Sequence, residues 1–351
     1  MSSPVTILYH ADCLDGYAAA YSAWRHFGEQ ASYRGMHHGE AWELNDIAGH
    51  RVFILDFSFP SQTLEQMAGI AASVTQIDHH ASARREWAGR LLPDGLGGES
   101  FEHPALPLSI RFNLDKSGAR LAWEHFHPDT PVPLAILHIE DQDMWRFMLP
   151  GTRAFCRAIR LLPFDFEHWH GLIVETGTPE SERYRKTIDQ GQGIETFFQR
   201  EVERLARGSL CMTAQLRGEP VDGLQAVRHG QAVICDGGNT WLAVAGQAIN
   251  ANTLFASELG NALAAQSGSF GLIWQLAADG EVKVSLRSQG PALDVSLIAA
   301  RYGGGGHPNA AGFRLPAAQF FSEVIRISSS AESRNSGDNP SRFETANKKP
   351  A

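Results

Sequence analysis

Three apolar runs near the N-terminus each stop abruptly at acids or histidines, and this arrangement restricts the fold more than any other feature of the chain. Val5-Thr6-Ile7-Leu8-Tyr9 runs into His10-Ala11-Asp12-Cys13-Leu14-Asp15-Gly16. Val52-Phe53-Ile54-Leu55 runs into Asp56, and Ser73-Val74-Thr75-Gln76-Ile77 into Asp78-His79-His80. Runs of β-branched and aliphatic residues of this length read as strands. Between them, the alanine-rich residues 16–27 and residues 61–72 read as helices. Strand alternating with helix predicts parallel βαβ units. In such sheets ligands bind beyond the carboxyl ends of the strands, so the acids and histidines share one crevice. The start of the first helix lies directly behind the His10 to Asp15 cluster, where its dipole favours an anion.

A chain of 351 residues accommodates two domains of ordinary size. Its 43% hydrophobic and 20% charged residues are those of a globular protein. No apolar run approaches the roughly 18 residues needed to span a bilayer. No basic segment followed by an apolar one opens the chain, so no signal peptide is expected. The four cysteines, at 13, 156, 211 and 235, form no C-x-x-C pair. They read as reduced thiols, and the expected compartment is the cytoplasm. A net charge of -9 opposes general affinity for long nucleic acid. It leaves room for a locally basic pocket holding a short anionic substrate.

Further along, residues 92–107 read as a loop, 108–112 as a strand, and 117–126 as a helix capped by Ser117. Residues 133–140 read as an apolar helix delivering Asp141-Gln142-Asp143. Residues 164–207 read as mostly helical. From about residue 210 the texture changes to short strands, at 231–235, 270–276 and 281–286, the last two joined through Asp279-Gly280. The chain then reaches Arg287-Ser288 and Gly303-Gly304-Gly305-Gly306-His307. The expected division is a first domain over 1–193, a helical linker over 194–209, a second domain over 210–327, and a polar disordered tail over 328–351.

The chemistry concentrates at the strand ends. Asp78-His79-His80 alone fits a helix cap on a solvated loop as well as a metal site. His10, Asp12, Asp15, Asp56, Asp78, His79 and Asp141 taken together favour a metal site. Mixed acid and imidazole donors suit Mn2+ or a similar borderline ion better than Ca2+. Asp56 follows four apolar residues, and a carboxylate near a core needs a partner or a metal. The remaining histidines, His37 and His38 among them, read as surface or packing residues. The glycine run lacks the Lys-Ser/Thr of a P-loop. It reads as a backbone nest for an anion, complemented by Arg287, with a flexible turn as the alternative.

At these residues the chain resembles the DHH phosphoesterase superfamily, named for the tripeptide seen here as Asp78-His79-His80. The resemblance runs to about residue 320. It includes the His10 to Gly16 segment, Leu55-Asp56-Phe57-Ser58, Asp141, and the glycine-histidine signature Gly-Gly-Gly-Gly-His-Pro-Asn-Ala-Ala-Gly at 303–312. It implies an α/β fold in which a parallel-sheet DHH domain is joined by a helical linker to a smaller α/β DHH-associated domain. It also implies two divalent ions, Mn2+ first, with Mg2+ or Co2+ as the other candidates. In that reading His10 and an acid of the first segment hold one ion and Asp56 bridges both. Asp15, His79 and Asp141 complete the second. Asp78 stands behind the ligands and His80 faces the scissile phosphate, these two being the catalytic candidates. Arg287, Ser288, Gly304, Gly305, Gly306 and His307 hold the other end of the substrate.

One departure matters. Many members carry Asp-x-Asp-Gly where this chain has Cys13-Leu14-Asp15-Gly16 with the acid at Asp12, so Asp12 and Cys13 both stay open as ligands. Asp143 competes with Asp141. The expected function is a metal-dependent phosphodiesterase acting on short oligonucleotides or linear dinucleotides (nanoRNA, pGpG-like), with no membrane and no stable long nucleic-acid partner. A RecJ-type single-strand exonuclease, a bisphosphate nucleotide phosphatase and a non-catalytic nucleotide sensor are the alternatives. A homodimer is left open.

Overall fold

The computed structural model describes residues 3–37, 43–208 and 211–326. The expected tail over 328–351 and His38 lie outside the described residues. Among those described, two sheets form, each with its own helices, as the sequence implies.

The first sheet is built from β1 (Val5–His10), β2 (Ala31–Met36), β3 (Arg51–Leu55), β4 (Ser73–Asp78), β5 (Leu92–Pro93), β6 (Glu99–Glu102) and β7 (Leu108–Phe112), in the order β2-β1-β3-β4-β7-β6-β5. β2, β1, β3, β4 and β7 run parallel, and β6 and β5 turn back antiparallel on the edge. β2 falls on residues that show no apolar alternation. It is a partly exposed edge strand, so its faces need little hydrophobic patterning. The hairpin of β5 and β6 lies within the expected 92–107 loop for the same reason.

Strand residues alternate between two apolar layers. Val5, Ile7, Phe53, Leu55 and Ile77 pack on α1 (Leu14–Phe27) and on a later helix through Ala19, Ala23, Ala122 and Phe126. Leu8, Val52, Ile54, Val74 and Ile110 pack on Leu64 and Met67 of α2 (Ser61–Ile70) and on Trp87, which follows α3 (Ala81–Glu86). With both faces covered, the strands are continuously apolar up to their carboxyl ends.

The helices that follow are α4 (Gly118–Phe126), α5 (Leu134–Asp143), α6 (Thr152–Ile159), α7 (Phe166–Glu175) and α8 (Glu182–Gly208). Ser117 caps α4, its hydroxyl accepting from the Arg120 amide. The expected linker is the C-terminal half of α8, a single helix that starts twelve residues earlier than 194. Its Phe198 and Val202 pack on the second domain.

That domain comprises β8 (Met212–Pro220), α9 (Gly223–Arg228), β9 (Val233–Asp236), β10 (Asn239–Asn250), α10 (Ala256–Ser267), β11 (Phe270–Leu276), β12 (Glu281–Ser288), α11 (Val295–Ala300), β13 (Gly305–His307), β14 (Ala310–Pro316) and β15 (Ile325–Arg326). Its sheet order is β13-β14-β12-β11-β10-β8-β15, with β9 paired to β10. One face buries Leu259 and Leu263 of α10, and the other buries Val295 and Ile298 of α11. No described helix is long and apolar enough to cross a membrane.

The contact of α6 with α8 gives a direct test. A Cβ on Gly191 would lie 1.7 Å from the Ala154 carbonyl oxygen, whereas one on Gly193 meets nothing within 4 Å. Gly191→Ala is expected to destabilise the protein by roughly 1–3 kcal/mol or more through overpacking. Gly193→Ala should stabilise it by about 0.5–1 kcal/mol through helix propensity. Thermal unfolding of the two variants checks the pair, and equal effects would contradict the packing.

Candidate metal centre

Strand register brings the chemistry together. Tyr9 pairs with Leu55 and Leu55 with Ile77, so His10, Asp56 and Asp78 leave three adjacent parallel strands side by side. Glycines then let two helices approach. A Cβ on Gly16 would lie 2.2 Å from the His10 carbonyl oxygen, and one on Gly118 would lie 2.5 Å from Asp56 Cβ. The carboxylate of Asp15 thereby reaches the start of α4, accepting from the amides of Gly118 at 2.7 Å and Ala119 at 3.1 Å.

The side chains converge on one imidazole nitrogen. His79 Nε2 lies 3.1 Å from Asp56 Oδ1, 3.6 Å from Asp15 Oδ2 and 3.6 Å from Asp143 Oδ2. The other oxygen of Asp56 faces His10 Nδ1 at 3.5 Å. The donor atoms of His10, Cys13 and Asp56 all lie within 4.8 Å of one another, as do those of Asp15, His79 and Asp143. Asp56 thus turns one oxygen to each of two donor groups, and its backbone adopts the left-handed φ of 53° to do so.

The electrostatics are those of a crowded anionic site. Burial raises the Asp15 carboxyl well above its usual range, and the charges of Asp56 and Asp143 push the same way. Burial likewise raises Asp143. Burial disfavours the charged forms of Asp56 and His79, but their mutual contacts win. Asp56 is held below the ordinary carboxylate range by His10 and His79, and His79 well above the ordinary imidazole range by Asp56 and Asp143. For His10, burial is outweighed by hydrogen bonds to Asp56 and Cys13, which lift it to about 11. His79 Nδ1 is buried without a hydrogen-bond partner. Three carboxylates around one imidazole call for a further positive charge, and a donor set of carboxylate, imidazole and thiol fits a borderline divalent ion.

Asp78 supports this centre from behind. Fully buried, its Oδ1 accepts from the His79 amide at 2.8 Å and faces His80 Nδ1 at 2.7 Å. Its Oδ2 accepts from the Ser58 hydroxyl. Burial would raise Asp78, but His80 outweighs it and holds the group at about 2. From the second domain, the His307 ring comes within 4.8 Å of His79 and stacks on His80 at 4.7 Å. Burial, reinforced by both neighbours, holds His307 down at about 3.

Several expected site residues sit elsewhere. Asp12 has its side chain 85% exposed and faces His37 at 3.8 Å, while Cys13 stands in the donor group with His10 and Asp56. A left-handed φ of 55° at Asp12 marks the turn that separates them. Asp141 also lies outside the donor groups. Its carboxylate accepts from the amides of Met148 and Leu149 and from the Thr152 hydroxyl, and its carbonyl accepts from the amides of Arg146 and Phe147. Asp143, two residues on, faces the centre instead.

The glycine run is not an open cradle. A Cβ on Gly304 would lie 2.0 Å from the Gly312 carbonyl oxygen, one on Gly305 would lie 2.9 Å from Ser82 Oγ, and one on Gly306 would lie 2.5 Å from the Ala310 carbonyl oxygen. The Gly306 amide donates to Ser82 Oγ at 3.0 Å. These glycines permit close approach between β13, β14 and the first domain. Ser288 is fully buried, its hydroxyl held among Leu293, Pro308 and Asn309. Arg287 donates to Ser257 Oγ at 2.8 Å. Burial lowers it to about 10, and the charges of Glu258 and Asp143 oppose the shift. Ser82 had no signal in the sequence beyond its nearness to His80.

Residues 244–331 match the DHHA1 domain, in agreement with the DHH-associated domain that the resemblance implies over this part of the chain. The chain is 26% identical over 325 residues to an uncharacterized protein of Acanthamoeba polyphaga mimivirus. That match covers 87% of this chain and 66% of the relative, so the chain spans just under two thirds of its length. Among solved structures, RecJ of Thermus thermophilus in complex with Mn2+ overlays with a TM-score of 0.40 at 14% identity, covering 91% of this chain and 50% of that one. A pGpG-specific phosphodiesterase of Vibrio cholerae overlays with a TM-score of 0.39 at 11% identity, covering 91% and 95%.

The two disputed pairs separate in a metal titration. Asp143→Ala and Cys13→Ser are expected to weaken Mn2+ binding measured by calorimetry, and Asp12→Ala to leave it nearly unchanged. Asp141→Ala should act chiefly on stability, lowering the melting temperature, because each buried partner it abandons costs about 1–3 kcal/mol. A metal affinity that falls for Asp12→Ala and holds for Cys13→Ser would reverse the assignment.

Proposed function

We propose that this chain, which carries a DHHA1 domain, is a divalent-metal-dependent phosphodiesterase acting on short oligonucleotides or linear dinucleotides. The observation that carries the reading is the convergence of Asp15, Asp56 and Asp143 on His79 Nε2, with His10 on the far oxygen of Asp56 and Cys13 in the same donor group. In this reading His10, Cys13 and Asp56 hold one ion, and Asp15, Asp56, His79 and Asp143 hold a second, Mn2+ being the first candidate. Such a pair supplies Lewis-acid stabilisation of charge at the phosphoryl oxygens.

The chain's own residues do the rest. The Asp78 carboxylate holds a proton on His80 Nδ1, which in this reading leaves Nε2 to meet the scissile phosphate. His307, held neutral by a pKa of about 3, offers a hydrogen bond rather than a charge beside it. Arg287 contributes a positive charge from the second domain, close enough for the charge of Asp143 to act on it. Short substrates are favoured because that domain closes over the centre: His307 stacks on His80, Ser82 holds the Gly306 amide, and Arg85 donates to Ser296 at 2.9 Å.

Activity should vanish in EDTA and return with Mn2+. Asp56→Asn is expected to lower kcat about a thousandfold or more with the fold intact by circular dichroism, since it removes the carboxylate common to both donor groups. Wild-type turnover in that variant would remove the metal reading. The substrate is decided by a screen of short RNAs, pGpG, nucleoside bisphosphates, pyrophosphate and long single-stranded DNA. Turnover confined to long DNA would replace the proposal with a RecJ-type exonuclease, and binding without turnover with a sensor. Arg287→Ala and His307→Ala should cut kcat/KM on a dinucleotide by about tenfold or more, equivalent to about 1.4 kcal/mol of transition-state binding. The loss on bis(p-nitrophenyl) phosphate, too small to reach both domains, should be smaller.

A further inference from the structure

Beside the centre lies a segment that the chemistry above does not use. Directly after Asp143, the loop carrying Trp145 and Phe147 passes twice through the left-handed region, with φ of 56° at Trp145 and 51° at Phe147. Bulky residues avoid that region, and such outliers persist only where surrounding contacts over-determine them. Here Asp141 supplies those contacts, gathering the amides of Arg146, Phe147, Met148 and Leu149.

The strain presents aromatic faces at the surface. The Trp145 and Phe147 rings meet edge to face at 4.8 Å, and Trp145 remains 39% exposed. The Arg153 guanidinium stacks over Phe147 at 3.5 Å from the ring centroid. Phe147 and Arg153 line a cleft of about 350 Å³ whose far wall is α8, with Gln192 exposed at its rim. Arg153 also faces Glu258 of α10, whose neighbour Ser257 holds Arg287. The cleft is thus linked through Phe147 to the segment that follows Asp143, and through Arg153 and Glu258 to the helix whose Ser257 holds Arg287.

Resting on the phosphodiesterase reading, we propose that this cleft is a nucleobase subsite, in which a substrate base lies against the Phe147–Arg153 stack and Gln192 meets its edge. Aromatic rings and guanidinium planes are the surfaces on which unpaired bases stack, and a carboxamide offers the donor and acceptor that a base edge presents in return. The volume is ample for one base, and the rigid loop adds little ordering cost on binding.

Calorimetry on the Mn2+-loaded full chain tests this with adenosine and guanosine 5'-monophosphates against ribose 5-phosphate. The wild-type protein is expected to bind a nucleotide about tenfold or more tighter than the sugar phosphate. Phe147→Leu, which keeps the apolar bulk and removes the ring face, should take away about fivefold or more of that advantage. Gln192→Ala sits on an exposed helical face, cannot disturb the core, and should narrow the difference between the two bases. Equal affinity of nucleotide and ribose 5-phosphate in the wild type, or an equal loss on both ligands in Phe147→Leu, would overturn the subsite. A protein that prefers nucleotides but hydrolyses none would overturn the phosphodiesterase reading and leave the subsite standing.

Discussion

The structure depends on keeping two carboxylates out of water with a third, more exposed one close beside them. Asp15 and Asp56 are almost fully buried and Asp143 lies at the edge of the same group. Like charges at such spacing repel by several kcal/mol at interior dielectric, so the fold must supply compensation from every direction. It does so with His79 at the centre, with two amides of α4 on Asp15, and with His10 on the outer oxygen of Asp56. The glycines at 16 and 118 follow from the same demand, since only a missing Cβ lets α1 and α4 come close enough to contribute. The strained φ at Asp56 follows too, because a relaxed residue continuing β3 would not turn both oxygens to separate donor groups.

Much of this was legible because the strands that carry the centre are buried on both faces. β1, β3 and β4 had to be continuously apolar, so their ends were marked by the first polar residue, and His10, Asp56 and Asp78-His79-His80 could be placed at one crevice. β2 and the hairpin of β5 and β6 were not legible, because edge strands meet solvent and carry no such pattern. The acid after α5 failed for a different reason. Successive helical residues turn by about 100°, so Asp141 and Asp143 point to nearly opposite sides, and which one faces the centre depends on where the helix ends. Reading it to 140 rather than to Asp143 left that choice undetermined. Asp12 and Cys13 are separated by a single backbone inversion at Asp12, which no side-chain pattern announces.

The glycine run has a different explanation from the one its composition suggests. A row of glycines reads as a surface open to an anion, yet here the space above Gly304, Gly305 and Gly306 is taken by Gly312, Ser82 and Ala310, and only Gly303 stays open. The run is thin so that β13 can lie between its own sheet and α3, and that thinness delivers His307 onto His80. Ser82 occupies the Gly306 amide with a hydroxyl, the kind of oxygen that a phosphate would also offer. The amide that an anion nest would offer is thus already held by the first domain.

The domain junction extends this logic from packing to charge. Arg157 is buried between Glu195 of α8 and Glu258 of α10, with its guanidinium over Phe198 at 3.5 Å. Breaking one partner of a buried pair strands the other's charge, at a cost of about 3–5 kcal/mol, so this junction resists partial opening. Glu258 also faces Arg153, and its neighbour Ser257 holds Arg287. The residues that fix the second domain are thus the same residues that position its arginine and back the aromatic loop after Asp143. α10 thus reaches Arg287 through Ser257 and Arg153 through Glu258. Under the proposed function, α10 is therefore the element that ties the arginine of the second domain to the aromatic loop beside the candidate metal centre.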